Sequence, residues 1–366
     1  MSGSIFGKHF TISTWGESHA KALGVVIDGC PAGIPLSPNH IQRELDKRKP
    51  GTHTIYTPRQ EDDKVEILSG VFKGMTTGTP ISLIIYNTDE HTHDYDNIKD
   101  VYRPGHADFT YDEKYGFRDY RGGGRSSGRE TVSRVAAGAI AKNILAEFGI
   151  RTIAYTYSIG DITINRENFD DSIIYENSVR MPDMSAAAQA QELIKSISAE
   201  GDSIGGIIEC TVDGLPAGIG EPIFNKLEAV ISKAVMSIGA TRSIEFGAGS
   251  TLANMKGSQS NDQYIITNNG QIKKLTNHSG GVAGGISDGS PLCFKVAFKP
   301  TPSISLPQKT VTKDMKNTTV KIKGRHDPSI VPRAVPVVEA MTTIAIVDLL
   351  FQHVLSNIEF LKKAFS

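Results

Sequence analysis

The stretch Arg121-Gly122-Gly123-Gly124-Arg125-Ser126-Ser127-Gly128-Arg129-Glu130 stands directly before an apolar helix pattern. Its glycines lack Cβ atoms, so the backbone can take positive φ angles and a ligand can approach closely. Ser127 and Glu130 have the spacing of a capping box, which predicts that a helix starts here. Free amide groups at that start and forked arginine side chains favour an anion such as phosphate. Taken alone, the stretch is equally well interpreted as a flexible, solvated basic turn.

The composition is typical of a soluble globular protein. The chain has 366 residues, of which 39% are hydrophobic and 22% charged, and its net charge of -1 argues against a dedicated nucleic-acid binder. Cys30, Cys210 and Cys293 are widely separated and give neither a disulfide framework nor metal-ligand spacing. No signal-peptide pattern opens the chain, and the apolar run 335–350 is too short to span a bilayer. We expect a cytoplasmic protein without a membrane or nucleic-acid partner.

Strand and helix patterns follow one another without a linker. Alternating or apolar runs predict strands at 8–14, 23–28, 80–86, 207–212 and 293–298, and helical spacing predicts helices at 132–148, 186–197, 227–238 and from about 336. The basic loop 324–328 precedes a small-residue helix, as the opening stretch does, and this similarity is compatible with an internal duplication. We expect one domain covering residues 1–366.

Other loops carry basic or titratable side chains. Residues 103–108 present Arg103 and His106 in one Pro/Gly turn, which suits a phosphate contact beside an acid–base group. Spacing alone assigns Lys47 to Lys49 to a solvated helix end. The Lys-Pro-Thr-Pro-Ser run at 299–303 suits either a phosphate or a surface turn. The histidines and carboxylates at 89–94 are more typical of an exposed loop than of a metal site, so we predict no metal.

Several cationic loops in a nearly neutral protein predict one positive pocket for a strongly charged ligand. The sequence contains no GxGxxG or GxxxxGK motif, and it shows no serine or cysteine nucleophile pattern. The residues therefore predict an enzyme acting on a phosphorylated, acidic small molecule. A flavin-independent phosphatase or sugar-phosphate isomerase is an alternative, and Arg121-Gly122-Gly123 also raises an RNA-binding module.

Six motifs, in order along the chain, resemble the chorismate synthase family of flavin-dependent enzymes in the shikimate pathway. They are Gly16-Glu17-Ser18-His19 and the segments 103–108, 121–139, 202–206, 277–281 and 324–341. The resemblance covers nearly the whole chain. It implies an α+β fold, described as a β-α-β sandwich with an antiparallel sheet core and helices outside, and assembly as a homotetramer.

The resemblance also implies a reaction. 5-Enolpyruvylshikimate 3-phosphate would be converted to chorismate and phosphate by an anti-1,4-elimination that requires reduced FMN but has no net redox change, with NADPH only as a reductant of the flavin. By the same resemblance, His19 would protonate the departing phosphate and His106 would protonate or charge-balance the reduced flavin. Asp327 would assist removal of the C6 proton.

Binding residues follow from the same motifs. The resemblance implies substrate binding by Arg48, Arg103, Arg129 and Arg325. It implies FMN binding by Arg125, Ser126, Ser127, Gly239, Ala240, Gly284, Lys299, Pro300, Thr301, Pro302, Ser303 and Arg325. Four places depart from the family pattern. Ala20 and Gly128 are small exchanges for a glycine and an alanine, Thr54 replaces a common arginine of the substrate and nicotinamide sites, and residues 239–243 differ from the usual Asn-Ala-Val-Lys-Gly.

Overall fold

Strands and helices are distributed along the whole length of the described chain. The computed structural model describes residues 3–49, 62–87, 99–322 and 327–365. The strands are β1 (Ile5–Phe6), β2 (Thr11–Gly16), β3 (Ala22–Asp28), β4 (Val65–Ile67), β5 (Val71–Phe72), β6 (Met75–Thr76), β7 (Ile81–Tyr86), β8 (Arg151–Ile159), β9 (Ile162–Thr163), β10 (Gly206–Asp213), β11 (Thr241–Phe246), β12 (Tyr264–Ile266), β13 (Ile272–Lys274), β14 (Val282–Ala283), β15 (Ile286–Ser287), β16 (Leu292–Phe298), β17 (Gln308–Val311) and β18 (Asn317–Val320). The helices are α1 (Pro38–Arg48), α2 (Asp108–Tyr115), α3 (Thr131–Ala146), α4 (Met184–Ala199), α5 (Leu227–Met236), α6 (Gly257–Ser260), α7 (Val331–Val354) and α8 (Ile358–Ala364).

The larger strands form two antiparallel sheets. Within the described residues the first has the order β1-β2-β3-β7-β4 and the second the order β11-β16-β10-β8-β9. Every described pairing between these strands is antiparallel. Buried and partly buried residues alternate strictly along β16, as expected for a strand with one face on the core. The predicted α+β class and antiparallel sheets are confirmed.

Helices α3 and α7 form a layer between the two sheets. Helix α3 contacts β3 and β7 of the first sheet and β8 of the second, and α7 contacts α3, β8 and β10. The two helices approach closely, because a Cβ on Gly138 would lie 2.4 Å from the Cβ of Ala340. The expectation that the helices lie outside a sheet core is therefore wrong for these two. Their residues are small or apolar on nearly all sides, so only a fully buried position satisfies them.

Helix α7 is longer than the apolar run that predicts it. It contains 24 residues, and its length and composition would be sufficient to cross a membrane. The prediction that the apolar run 335–350 is too short to span a bilayer was therefore wrong for the helix as a whole. However, 89% of its most apolar window is buried inside the protein. Such burial is typical of the core helix of a globular fold, and it agrees with the position of α7 between the sheets.

One cluster of buried apolar side chains joins both sheets and the middle helices. Its first member along the chain is Phe10, directly before β2, and its last member is Leu349 in α7. The organisation of residues 1–366 as a single domain stays a prediction, as does the internal duplication. For function, the important consequence is that α3 and α7 each begin at a predicted site loop.

Candidate active site

Arg48 and Arg129 both bind the carboxylate of Asp63. Arg48 is the last residue of α1, and Arg129 lies in the short 3-10 turn Gly128–Glu130 before α3. The Nη2 of Arg48 lies 3.1 Å from Oδ2 of Asp63, and Nη1 of Arg129 donates to Oδ1. Arg48 is only 3% exposed, so the assignment of this helix end to solvent was wrong. The physical reason is the counter-ion, which makes burial of the guanidinium affordable.

A second ion pair extends this group. Arg333, in the first turn of α7, lies 2.6 Å from the carboxylate of Asp327. Burial raises the pKa of Asp63, but Arg48, Arg129 and the more distant Arg333 outweigh it, so the pKa lies below its ordinary value. Asp63 is therefore ionised at neutral pH. We call Arg48, Asp63, Arg129, Asp327 and Arg333 the Asp63 cluster.

The turn that carries His19 is tied to the Asp63 cluster by Asn87. The side-chain amide of Asn87 donates to the carbonyls of Glu17 (3.1 Å) and Ala20 (2.5 Å), and its Oδ1 accepts from Nε of Arg129 at 2.9 Å. Nδ1 of His19 lies 3.1 Å from the hydroxyl of Ser18. The predicted proton handler and the predicted substrate arginine are thus held by one amide group.

The glycine-rich stretch passes directly over His19. A Cβ on Gly122 would lie only 2.3 Å from Nδ1 of His19, so this approach requires glycine. Arg121 forms an ion pair with Asp119 on the exposed side. Hydrogen bonds from Arg121, and to a smaller extent the charges of Arg121 and His19, lower the pKa of Asp119 and outweigh the effect of burial. The stretch therefore brings an ionised carboxylate close to the imidazole.

His106 lies in a second group of predicted site residues. Its Nε2 lies 2.9 Å from the hydroxyl of Ser303 and its Nδ1 3.1 Å from the carbonyl of Pro104. The ammonium of Lys299 donates to the carbonyl of Gly105 at 2.8 Å. Burial, then the charge of Arg103, lower the pKa of His106 to about 4, so its imidazole is neutral at pH 7. We call His106, Lys299 and Ser303 the His106 cluster.

Arg103 is held beside the His106 cluster by a bidentate ion pair. Its Nε and Nη2 each donate to Asp108 over 2.7 Å, and both side chains are buried. Arg118 lies 3.7 Å from the same carboxylate. The pKa of Asp108 is lowered, since hydrogen bonds and charge from Arg103 outweigh the effect of burial. Arg103 thus differs from Arg48 and Arg129 in binding its carboxylate through two nitrogen atoms.

Residues 125–127 connect the two clusters. Arg125 donates to Oγ1 of Thr14 (2.6 Å) and to the carbonyls of Thr14 and Gly16, which fixes the stretch to the end of β2. Ser126 donates to the hydroxyl of Tyr111 at 2.8 Å. The backbone carbonyl of Ser126 lies 3.9 Å from the position of a Cβ on Gly239. The stretch therefore spans from the His19 turn to residues 239–240.

The predicted capping box does not form. The hydroxyl of Ser127 accepts from the amide of Arg129 and caps the 3-10 turn, while α3 begins only at Thr131. Glu130 instead forms an ion pair with Arg134, four residues on, at 2.9 Å. The capping-box prediction is wrong because the i, i+4 arginine competes for the glutamate.

The remaining predicted flavin residues are distributed unevenly. Ala240 has a positive φ of 69° and its carbonyl accepts from the amide of Lys299 at 3.0 Å, so residues 239–240 adjoin the His106 cluster. Thr301 accepts from the hydroxyl of Ser203, and Pro302 packs against Gly105. Pro300 lies between them in the same segment. Gly284 lies in the turn between β14 and β15, and the next residue, Gly285, contacts the loop that leads into α5. Arg325, Thr54 and the whole run 89–94 lie outside the described residues.

Comparison with known proteins identifies the family. The family model described as chorismate synthase matches residues 10–351. A chorismate synthase from Lachnospira eligens is 56% identical over 363 residues, or 99% of each chain, and one from Methanococcoides burtonii is 54% identical over 351 residues, or 95% of this chain and 96% of that one. The chain belongs to the chorismate synthase family.

A solved structure agrees with this assignment. A crystal structure of chorismate synthase superposes with a TM-score of 0.77 at 30% identity, covering 98% of this chain and 97% of the other. Membership makes the chain an enzyme, a lyase of the shikimate pathway for aromatic amino acid biosynthesis. The RNA-binding alternative is thereby set aside, and the substrate is a small molecule.

Three residues of the site were missed from the sequence: Asp63, Asn87 and Arg333. Asp63 and Asn87 lie 66 and 42 positions from Arg129, which each contacts, and no local pattern marks such distant partners. Arg333 pairs with Asp327, six positions earlier, across the junction of a loop and a helix, and no local pattern marks that spacing. A signal was available for Asp63, since a carboxylate shortly after a basic loop is a natural counter-ion, but the same composition is common in exposed loops.

Proposed function

We propose that this enzyme converts 5-enolpyruvylshikimate 3-phosphate to chorismate and inorganic phosphate with the help of reduced FMN. The observation that carries the proposal is the Asp63 cluster, in which the guanidinium groups of Arg48, Arg129 and Arg333 gather around the carboxylates of Asp63 and Asp327. Three guanidinium groups brought together in this way suit a substrate with one phosphate and two carboxylates. In the overall change the C3–O bond to phosphate and the C6–H bond break, and a new C=C bond forms.

The arginines act by binding and orientation. Arg48 and Arg129 present guanidinium groups from two different elements, fixed by Asp63 and, for Arg129, by Asn87. Bidentate arginine contacts to phosphate or carboxylate add geometric specificity as well as energy. Arg103 lies nearer the His106 cluster, and Arg325 is proposed from its motif alone. Holding the substrate in one reactive geometry supplies a large part of the rate.

Two groups handle protons at the substrate. His19 would donate a proton to the departing phosphate oxygen, which lowers the cost of expelling a highly charged group. Its connection to Arg129 through Asn87 places the donor beside the anion-binding arginine. Asp327 would accept the C6 proton or relay it, and its carboxylate is oriented by the guanidinium of Arg333 at 2.6 Å.

The His106 side of the site has groups that fit FMN. The hydroxyls of Ser126 and Ser303, the ammonium of Lys299 and the backbone around Gly239 and Ala240 provide donors for a phosphate and for a polar ring edge. Arg125 and Ser127 hold the backbone of the same loop. When bound, reduced FMN supplies electron density to the substrate as phosphate leaves. The neutral imidazole of His106 can take up a proton there once negative charge arrives.

The surroundings of the enzyme are part of the proposal. We propose a homotetramer, supported by apolar side chains such as Ile266 (78% exposed) and Ile272 (73% exposed) on the β12–β13 hairpin, because exposed apolar patches mark interaction surfaces. We propose a cytoplasmic location, supported by the three free cysteines. NADPH is the proposed candidate for reducing the flavin, besides an external reductant.

The decisive experiment is an anaerobic assay of phosphate release from 5-enolpyruvylshikimate 3-phosphate with dithionite-reduced FMN. We expect release of phosphate together with chorismate, detected by its absorbance, only when reduced FMN is present. The controls are oxidised FMN and dithionite alone. Equal phosphate release without flavin would reject the proposal and favour a phosphatase.

A further inference from the structure

Asp63 is the meeting point of two buried arginines, and no step of the proposed reaction uses it. Its two carboxylate oxygens are divided between Arg48 and Arg129. Asp63 is 4% exposed, Arg48 3% and Arg129 7%. Arg48 comes from the end of α1 and Arg129 from the turn before α3, so this carboxylate joins two elements that are far apart in the chain.

The backbone around Asp63 is held in a specific conformation. Its φ of 47° lies in the left-handed region, which Asp and Asn tolerate better than most side chains. Gln42 of α1 fixes both flanks: its Nε2 donates to the carbonyl of Asp62 at 3.2 Å, and its Oε1 accepts from the amide of Val65 at 3.3 Å. Uncommon backbone conformations that neighbours hold in place cluster at functional sites.

We propose that Asp63 is a positioning residue, whose carboxylate sets the separation and orientation of the Arg48 and Arg129 guanidinium groups for the anionic substrate. Two buried cations without a shared anion would repel each other and turn apart. Asn87 holds Arg129 at a different edge, through Nε, so the guanidinium is fixed from two directions. This inference rests on the proposed function, since it concerns how the substrate arginines are arranged.

The first test is the Asp63→Asn variant. Asn keeps the shape of the side chain and its tolerance of positive φ, but it removes the negative charge and one of the two acceptors. We expect kcat/KM for 5-enolpyruvylshikimate 3-phosphate to fall by about 100-fold, as for a small misplacement of binding groups. The affinity for FMN should stay unchanged, because the proposed flavin residues lie on the His106 side. An unchanged kcat/KM would overturn the positioning role.

A second variant covers the case in which D63N is unstable, since a buried charge without its partner is strongly destabilising. The pair D63N/R129Q restores the charge balance by removing one arginine together with the aspartate. We expect the double variant to melt above D63N and to have nearly the kcat/KM of R129Q alone. A further large loss relative to R129Q would overturn the proposal, whether or not D63N itself folds, because a purely structural residue gives independent, additive losses.

The two proposals fail in different ways. If the wild-type enzyme releases phosphate equally well without flavin, the proposed function is rejected whatever the variants do. If the wild type is flavin-dependent and D63N is as active as the wild type, only the positioning role of Asp63 is rejected.

Discussion

The Asp63 cluster and the His106 cluster both contain cations but differ in the groups that accompany them. In the Asp63 cluster, Arg48, Arg129 and Arg333 face the carboxylates of Asp63 and Asp327. In the His106 cluster, the ammonium of Lys299 lies with the hydroxyl of Ser303 and with an imidazole that is neutral at pH 7. The difference teaches that one site can hold a region of guanidinium groups next to a region that adds neutral hydrogen-bonding groups. The first suits a polyanionic substrate and the second suits the phosphate and the ring edge of a flavin.

The largest effect should come from Arg129→Ala. It removes a guanidinium that binds Asp63 and Asn87 at once, so the anion-binding geometry and the link to the His19 turn are both lost. We expect kcat/KM to fall by about 10³-fold, measured as anaerobic phosphate release, with little change in FMN affinity. Arg151→Ala, at an exposed ion pair with Asp171, is the matched control. A similar fall in kcat/KM in the control would contradict a specific role of the Asp63 cluster in substrate binding.

His106→Ala should be the next most harmful change. The imidazole lies 2.9 Å from Ser303 and is neutral, so we expect it to exchange a proton on the flavin side rather than to bind substrate charge. Turnover should fall by about 100-fold, whereas KM for the substrate and the affinity for FMN should change little. Flavin titration by fluorescence separates these quantities. A variant that no longer folds would instead support a structural role and blur the contrast between the clusters.

Arg125→Ala tests the loop between the clusters. We expect the dissociation constant for FMN to rise about tenfold, equivalent to about 1.4 kcal/mol, because this arginine holds residues 125–127 against the end of β2. The melting temperature should also fall slightly, by about 2 °C or less per kcal/mol, because the shift becomes smaller as the chain becomes longer. Unaltered flavin affinity, measured beside that of Arg129→Ala, would remove Arg125 from the cofactor site.

The smallest effect concerns acid stability. The ordinary pKa of histidine is 6.5, and that of His106 is lowered to about 4 in the folded protein. The unfolded chain therefore binds a proton first as the pH falls, so the free energy of unfolding decreases between those two values. In His106→Gln this decrease should be weaker by up to one proton, measured by denaturant titration at several pH values. An identical pH dependence in the variant would contradict the neutral, buried imidazole.

Sequence patterns located many of these residues but not their partners. The loops bearing Arg48, His19, His106 and Asp327 stand out through glycine, proline and charge. That Arg48 and Arg129 share Asp63 could not be read from the chain, because the pairing depends on how α1 and α3 pack. The end of α1 was assigned to solvent for the same reason. A basic helix end has the same local sequence pattern whether its side chains are solvated by water or paired with a distant carboxylate.

The fold shows a similar limit. Helix α7 is apolar on all its sides, and this composition indicates a helix that is buried on every side. In β16, buried and partly buried residues alternate, as they should in a strand with one face on the core. The sequence does not indicate that α3 and α7 form the middle layer. That arrangement follows from the contacts of α3 with both sheets, which are a property of tertiary packing. The capping box was also predicted from a local pattern. Glu130 could either complete that box or form an ion pair with Arg134, and in the structure it forms the ion pair.

The contact between Gly138 and Ala340 has a consequence for how the protein melts. Because a Cβ on Gly138 would lie only 2.4 Å from the Cβ of Ala340, α3 and α7 cannot slide past each other without losing their packing. The loop bearing Arg129 and the segment bearing Asp327 are attached to these two helices. Heating should therefore dismantle both halves of the substrate site in one cooperative transition, at the same temperature as the core, rather than releasing one loop while the other persists.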